Sequence, residues 1–164
     1  MKNIRAFIGL GSNLGNREEN LYIGLRMIHY FADINVVGTS AIYETEPVGV
    51  AGHPDYLNMT TEILTTRDPF QLLEALQSVE DDLGRSDRGD LKPRIIDLDI
   101  LLFGDQVVDT ESLVIPHPRL IERKYILQTL LDIDKALVNP KTGLAIQQHF
   151  DRCDNKSKFK LFRE

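Results

Sequence analysis

Two aspartates stand one residue apart in an otherwise apolar run, Arg94-Ile95-Ile96-Asp97-Leu98-Asp99-Ile100-Leu101-Leu102-Phe103. In an extended strand alternate side chains share a face, so Asp97 and Asp99 point the same way with Cβ atoms roughly 6.5 to 7 Å apart. Ile96, Leu98, Ile100 and Leu102 then point the other way, into a core. Neighbouring carboxylates repel, and burying either without a partner is costly, so the pair needs a counter-charge. A divalent cation is the simplest one. Oxygen-only ligands suit a hard ion such as magnesium, which keeps several waters and completes its shell with phosphate oxygens. Taken alone, the pair is equally compatible with an ordinary exposed strand face.

Its surroundings favour the first reading. Arg85, Arg88, Lys92 and Arg94 precede the pair, interrupted by Asp87 and Asp90. Guanidinium forks match phosphate oxygens, and a loop carrying them can close over a bound anion. Cations beside a candidate metal pair form a set suited to phosphoryl transfer, where catalysis is mostly positioning and charge neutralisation. Without the aspartates, the same loop would read as solvated surface.

The elements that must hold these groups can be read from periodicity and caps. Ile4, Ala6, Ile8 and Leu10 alternate as in a strand, which the spacing predicts to end in a glycine-rich turn from Gly9 to Gly15. Asn16, with Glu19 three residues on, predicts a helix carrying Leu21, Leu25 and Ile28 on one face. Residues 34–43 read as a second strand and 56–64 as a third, joined by the long connection 44–54. Asp68-Pro69 opens a helix with an apolar face up to Gly84. The aspartate strand is expected to turn at Gly104-Asp105 and return at Val107-Val108 as a hairpin. Helices are predicted through Ile126–Leu131 and near 144–150. Residues 151–164 read as a loosely docked polar tail behind a single domain of residues 1–150.

Composition narrows the function classes. A chain of 164 residues with 42% hydrophobic content can bury its own core. A net charge of -6 argues against nucleic acid as a partner. No apolar run is long enough to span a bilayer, no signal segment opens the chain, and one cysteine, Cys153, allows no internal disulfide. These features lead to the expectation of a cytoplasmic monomer acting on small molecules. The first glycines follow G-x-G-x-x-x-G, one residue too long for the dinucleotide fingerprint, and the phosphate-loop motif G-x-x-x-x-G-K-[ST] is absent.

Taken in order, "GLGSNLGN", "DYLN", "PRIIDLDILLFG" and "PHPRLIERKYIL" resemble 6-hydroxymethyl-7,8-dihydropterin pyrophosphokinases of folate biosynthesis over roughly residues 4–150. The resemblance implies an α/β (α+β) fold, a single-domain three-layer sandwich with a ferredoxin-like, mostly antiparallel central sheet flanked by helices. It implies transfer of pyrophosphate from ATP to the pterin hydroxymethyl group with release of AMP, and two magnesium ions on Asp97 and Asp99. It also implies a pterin pocket from Thr45, Val48, Tyr56, Asn58 and Tyr125, and ATP contacts from Glu80, Arg85, Arg94, Ile100, His117 and Arg123. Arg85, Arg94, Asp97 and Asp99 are then the catalytic set. Tyr125 stands where the family usually has Phe, which keeps ring stacking but adds a hydroxyl that needs a partner. Both long loops, near 46–54 and 84–93, are expected to close over substrates. A non-catalytic pterin- or nucleotide-binding module and a metal-dependent phosphohydrolase are the competing readings.

Overall fold

The computed structural model describes residues 2–47, 52–84, 93–155 and 157–164. Its centre is a six-stranded sheet of β1 (Ile4–Ser12), β2 (Ile34–Thr39), β3 (Ile42–Thr45), β4 (Tyr56–Thr65), β5 (Asp97–Phe103) and β8 (Phe159–Arg163) in the order β5-β1-β4-β3-β8, with β2 also paired to β4. Every pairing is antiparallel. Helices α1 (Arg17–His29) and α2 (Pro69–Asp82) cover one face, where Leu21, Ile28, Leu72, Leu76 and Val79 pack on Ala6, Ile8, Leu10, Leu98 and Ile100. Helices α3 (Lys124–Ile133) and α4 (Ile146–Arg152) cover the other, where Leu127, Leu130 and Ile146 pack on Phe7, Leu101 and Leu102. The result is the three-layer sandwich that the family resemblance implied.

Two caps form where the residue types require them. The Asn16 side chain accepts from the Glu19 N–H at the start of α1. Asp68 and Gln71 make a reciprocal capping box ahead of Pro69 in α2. Among the described residues, no helix is long and apolar enough to cross a membrane.

Five sequence expectations change. First, β1 does not stop at Gly9: it runs to Ser12, with Gly9 paired to Asp99 and Gly11 to Asp97. Neither glycine has a positive φ, so the reason for a glycine there is space rather than a turn. Second, the apolar alternation of β5 is broken. Between Phe7 and Ile8 the register shifts so that Phe7 faces Leu102 while Ile8 faces Ile100. Leu101 is the extra residue of a β-bulge, and Leu102 joins the α3 side instead of following Leu98 and Ile100.

Third, residues 34–43 form two strands on successive halves of the same edge of β4. At the break, the Ser40 hydroxyl accepts from Thr60 N–H at 2.9 Å and donates to Ala41 C=O at 2.7 Å, so a side chain replaces a backbone partner in the ladder. Fourth, β5 has no hairpin partner at Val107-Val108. β6 (Val108–Asp109) pairs instead with β7 (Val114–Ile115) in a separate two-stranded sheet, because Leu113 and Ile115 bury into the main core. Fifth, the tail is docked: β8 adds to β3, Lys160 pairs with Glu44 at 3.4 Å, and Arg163 pairs with Glu18.

Candidate active site

The side of β1 that carries Gly9 and Gly11 opens into a cavity of about 310 Å³ between the sheet and the start of α3. Period-two geometry puts their cross-strand partners, Asp99 and Asp97, at the same opening. A Cβ on Gly11 would lie 2.8 Å from Asn58 Oδ1 and 3.4 Å from the Tyr56 ring, whereas one on Gly9 would first meet Leu101 at 3.4 Å. The missing side chain at position 11 therefore makes the room in which Asn58 and Tyr56 sit.

One half of the cavity is built on β3 and β4. Asn58 Nδ2 donates to Thr45 Oγ1 at 2.7 Å. That bond orients the amide, directing Oδ1 towards Gly11 as an acceptor. Tyr56 and Tyr125 supply aromatic walls, and Thr60 and Thr129 add hydroxyls that bond to each other at 2.7 Å. Flat heterocycles with an amide edge suit such a combination of rings and paired donor and acceptor groups.

The other half is charged. Asp97 and Asp99 share the opening with Arg94, Arg119 and Arg123. Arg94 Nη1 lies 3.3 Å from Asp97 Oδ1. His117 is set by two backbone contacts: its N–H donates to the carbonyl of the bulge residue Leu101 at 3.0 Å, and its Nδ1 accepts from Arg119 N–H at 3.2 Å. With Nδ1 accepting, the proton of the neutral ring is on Nε2, 3.8 Å from Asp99 Oδ2. Burial first, then the charge of Arg123, lowers the His117 pKa from 6.5 to about 4. The imidazole is thus a neutral N–H donor at physiological pH rather than a cation.

Asn13 ties this half to its neighbours. Its N–H donates to Arg94 C=O at 3.0 Å, its Oδ1 accepts from Arg94 N–H at 2.6 Å, and its Nδ2 donates to Pro54 C=O at 3.4 Å. It is buried, so these bonds satisfy a side chain that would otherwise be costly to remove from water. The backbone of Arg94 is held at the start of the aspartate strand as a consequence.

A magnesium ion suits this donor set. The two carboxylates are hard oxygen ligands on one face, Asp99 half-exposed at 46%. Among the described residues, no group of three or more His, Cys, Asp or Glu is arranged to enclose a metal. Magnesium held by two carboxylates takes its other ligands from water and phosphate.

The structure brings together most of the residues that the sequence nominated: Thr45, Tyr56, Asn58, Arg94, Asp97, Asp99, Arg123 and Tyr125 all line the one cavity, with His117 beside Asp99. Val48 and Arg85, with most of the two long loops, lie outside the described residues. Glu80 and Ile100 are not cavity-lining. The Glu80 carboxylate is buried and accepts from Leu98 N–H at 2.9 Å along the outer edge of β5, and the Ile100 side chain belongs to the opposite core. Gly11, His53, Arg119 and Thr129 line the cavity without having been nominated. For Arg119, the signal was its place directly after Pro116-His117-Pro118. For Gly11, it was the two-residue spacing from Gly9, which puts both on one strand face.

Comparison with known proteins finds relatives along most of the chain. The family model described as 7,8-dihydro-6-hydroxymethylpterin-pyrophosphokinase (HPPK) matches residues 7–135. A Bacillus subtilis protein named 2-amino-4-hydroxy-6-hydroxymethyldihydropteridine pyrophosphokinase is 43% identical, with 90% of this chain and 88% of that one aligned. A Haemophilus influenzae protein of the same name is 35% identical over 93% of this chain and 96% of that one. In fold, the chain is similar to a Plasmodium falciparum HPPK-DHPS solved with pteroate, with a TM-score of 0.74, 15% identity, and coverage of 92% of this chain but 42% of that longer one.

Proposed function

The chain belongs to the 7,8-dihydro-6-hydroxymethylpterin-pyrophosphokinase family, and from that premise we propose that its cavity joins ATP to a hydroxymethyl dihydropterin in folate synthesis, releasing AMP. The observation that carries the reading is the division of one cavity into an aromatic, amide-bearing half and a half with two carboxylates and three arginines. The first half takes the pterin. Asn58 Oδ1 accepts from its amide edge, the Thr45 hydroxyl adds a polar contact, and the rings of Tyr56 and Tyr125 stack on the heterocycle. The second half takes the nucleotide phosphates.

In this reading the pterin hydroxyl oxygen attacks the β-phosphorus of ATP in line. A bond from that oxygen to the β-phosphorus forms, the bond from the β-phosphorus to the bridging oxygen of AMP breaks, AMP leaves with the electron pair, and the hydroxyl proton passes to solvent water. Arg94, Arg123 and, from outside the described residues, Arg85 spread the negative charge that shifts between the phosphates. Arg119 belongs with them by position. His117 contributes a neutral Nε2–H donor held near Asp99 by its own backbone. Bound magnesium, two ions in this reading, would be held by Asp97 and Asp99 and would lower the charge barrier between the substrates. Holding both substrates in one opening removes most of the entropic cost of their meeting.

The test is incubation with ATP, magnesium and 6-hydroxymethyl-7,8-dihydropterin. AMP that forms only when the pterin is present is the expected result. ADP or free phosphate without AMP would instead favour a phosphohydrolase, and binding without turnover would favour a non-catalytic module.

A further inference from the structure

Arg123 and Tyr125 stand two residues apart at the start of α3, and by the reading above they serve different substrates, the ring of Tyr125 the pterin and the guanidinium of Arg123 the phosphates. Their side chains meet. Nη1 of Arg123 donates to the phenol oxygen of Tyr125 at 3.4 Å, and both residues line the cavity. Arg123 is also the N-cap residue of α3, and a guanidinium, which carries only donors, cannot cap the first N–H groups of a helix. The phenol oxygen is an acceptor that it can use.

An arginine side chain has many rotamers, and ordering it against a phosphate costs conformational entropy. A tyrosine ring has only two side-chain torsions and presents a rigid edge. Burial raises the Tyr125 pKa, so at neutral pH the hydroxyl keeps its proton, and its oxygen accepts from the guanidinium without a phenolate forming. A Phe at this position would keep the ring and lose the contact.

We propose that the Tyr125 hydroxyl is a positioning group for Arg123, so that the ring that stacks on the pterin also aims a cation at the nucleotide phosphates. This rests on the family reading above. It makes Tyr125 a link between the two halves of the cavity, so pterin and nucleotide should each favour the binding of the other, and part of that coupling should pass through one hydroxyl.

The experiment is a double-mutant cycle on binding, read by calorimetry with a nonhydrolysable ATP analogue and magnesium, with and without the pterin. Tyr125→Phe should weaken analogue binding about fivefold, the scale of an ordinary net hydrogen bond, while pterin affinity measured alone stays within about twofold. In an Arg123→Ala background, the same substitution should change analogue binding by less than about twofold. Tyr125→Leu should lose pterin affinity as well, because the ring goes with the hydroxyl. Thermal unfolding of each variant separates a folding defect from a binding one.

Unchanged analogue affinity in Tyr125→Phe, or an equal loss with and without Arg123, overturns the positioning role. A wild-type protein that releases pterin-dependent AMP with such a flat cycle overturns this role alone. One that shows the cycle but releases no AMP keeps the role and overturns the reaction assigned above. Failure of the wild type to bind the analogue overturns both.

Discussion

The two faces of β1 are made from one strand with one periodicity, yet they do different work. On the α1/α2 side, Ala6, Ile8 and Leu10 are buried in an unbroken core. On the α3 side, Phe7 begins the same way, but Gly9 and Gly11 follow, and the space they leave becomes the cavity over Asp99 and Asp97. The site is made by subtracting side chains from a sheet face that would otherwise pack. The intact face supplies the rigidity, and the stripped face supplies room for ligands against a backbone that cannot move far.

Substitutions on the two faces should therefore fail in different ways. The largest expected effect is on the stripped face: Asp97→Ala or Asp99→Ala should lower turnover about 10²- to 10³-fold, the scale of losing a charge-stabilising group at a reacting phosphate, while the melting temperature changes little because both carboxylates border the opening. Steady-state kinetics with saturating magnesium checks this, and near-normal turnover in either variant would remove the metal role.

On the packed face, Ile8→Ala should cost about 2–5 kcal/mol of stability through lost burial and a residual cavity. Urea unfolding reads that loss, and the folded fraction should retain its specific activity. A stability change under about 1 kcal/mol would mean that this face is less closely packed than its burial indicates.

Next in size is a contrast within the stripped face. Gly11→Ala puts a Cβ 2.8 Å from Asn58 Oδ1, so pterin affinity should fall about tenfold, a little over 1 kcal/mol. Gly9→Ala meets only Leu101 at ordinary contact distance and should stay within about threefold. Titration of pterin fluorescence measures both, and equal effects would break the assignment of Asn58 to the pterin.

The smallest effect lies away from the cavity, where Arg5 bridges Glu62 at 2.7 Å and Asp134 at 2.9 Å. Asp134 has its pKa lowered below 3.8, first by the Ala136 N–H and then by Arg5. A carboxylate depressed in the folded state stabilises the fold above its unfolded pKa, and that contribution fades as pH falls through the lower folded value. The partners are part-exposed, so the effect should be under about 1 kcal/mol. The stability gap between wild type and Asp134→Ala should be largest above pH 5 and shrink below pH 4. A gap that widens on acidification would reverse the sign of the linkage.

Much of this was legible in the residues, and the exceptions share a cause. The shared face of Asp97 and Asp99, the Asn16 and Asp68 caps and the apolar faces of α1 and α2 follow from local spacing, so one sequence suffices to find them. Leu102 was misplaced because a bulge at Leu101 changes which face the later residues take, and only the partner strand reveals a bulge. The break at Ser40 depends on a hydroxyl reaching Thr60 across the sheet. The tail looked loose because its polar residues carry no periodic signal, but its strand adds to the edge of β3, and Glu44 and Glu18 pair with its cations. Gly9 and Gly11 were read as a turn because glycine most often signals backbone freedom, whereas here the missing Cβ is what counts.

The central claim is that the stripped face moves a diphosphoryl unit from ATP to a pterin, and following the phosphorus atoms tests it most directly. With ATP labelled separately at the α- and γ-phosphates, magnesium and the hydroxymethyl dihydropterin, the γ label should end in the pterin product together with the β-phosphate, and the α label in AMP. A γ label released as inorganic phosphate, or transferred alone with ADP left behind, would contradict the account.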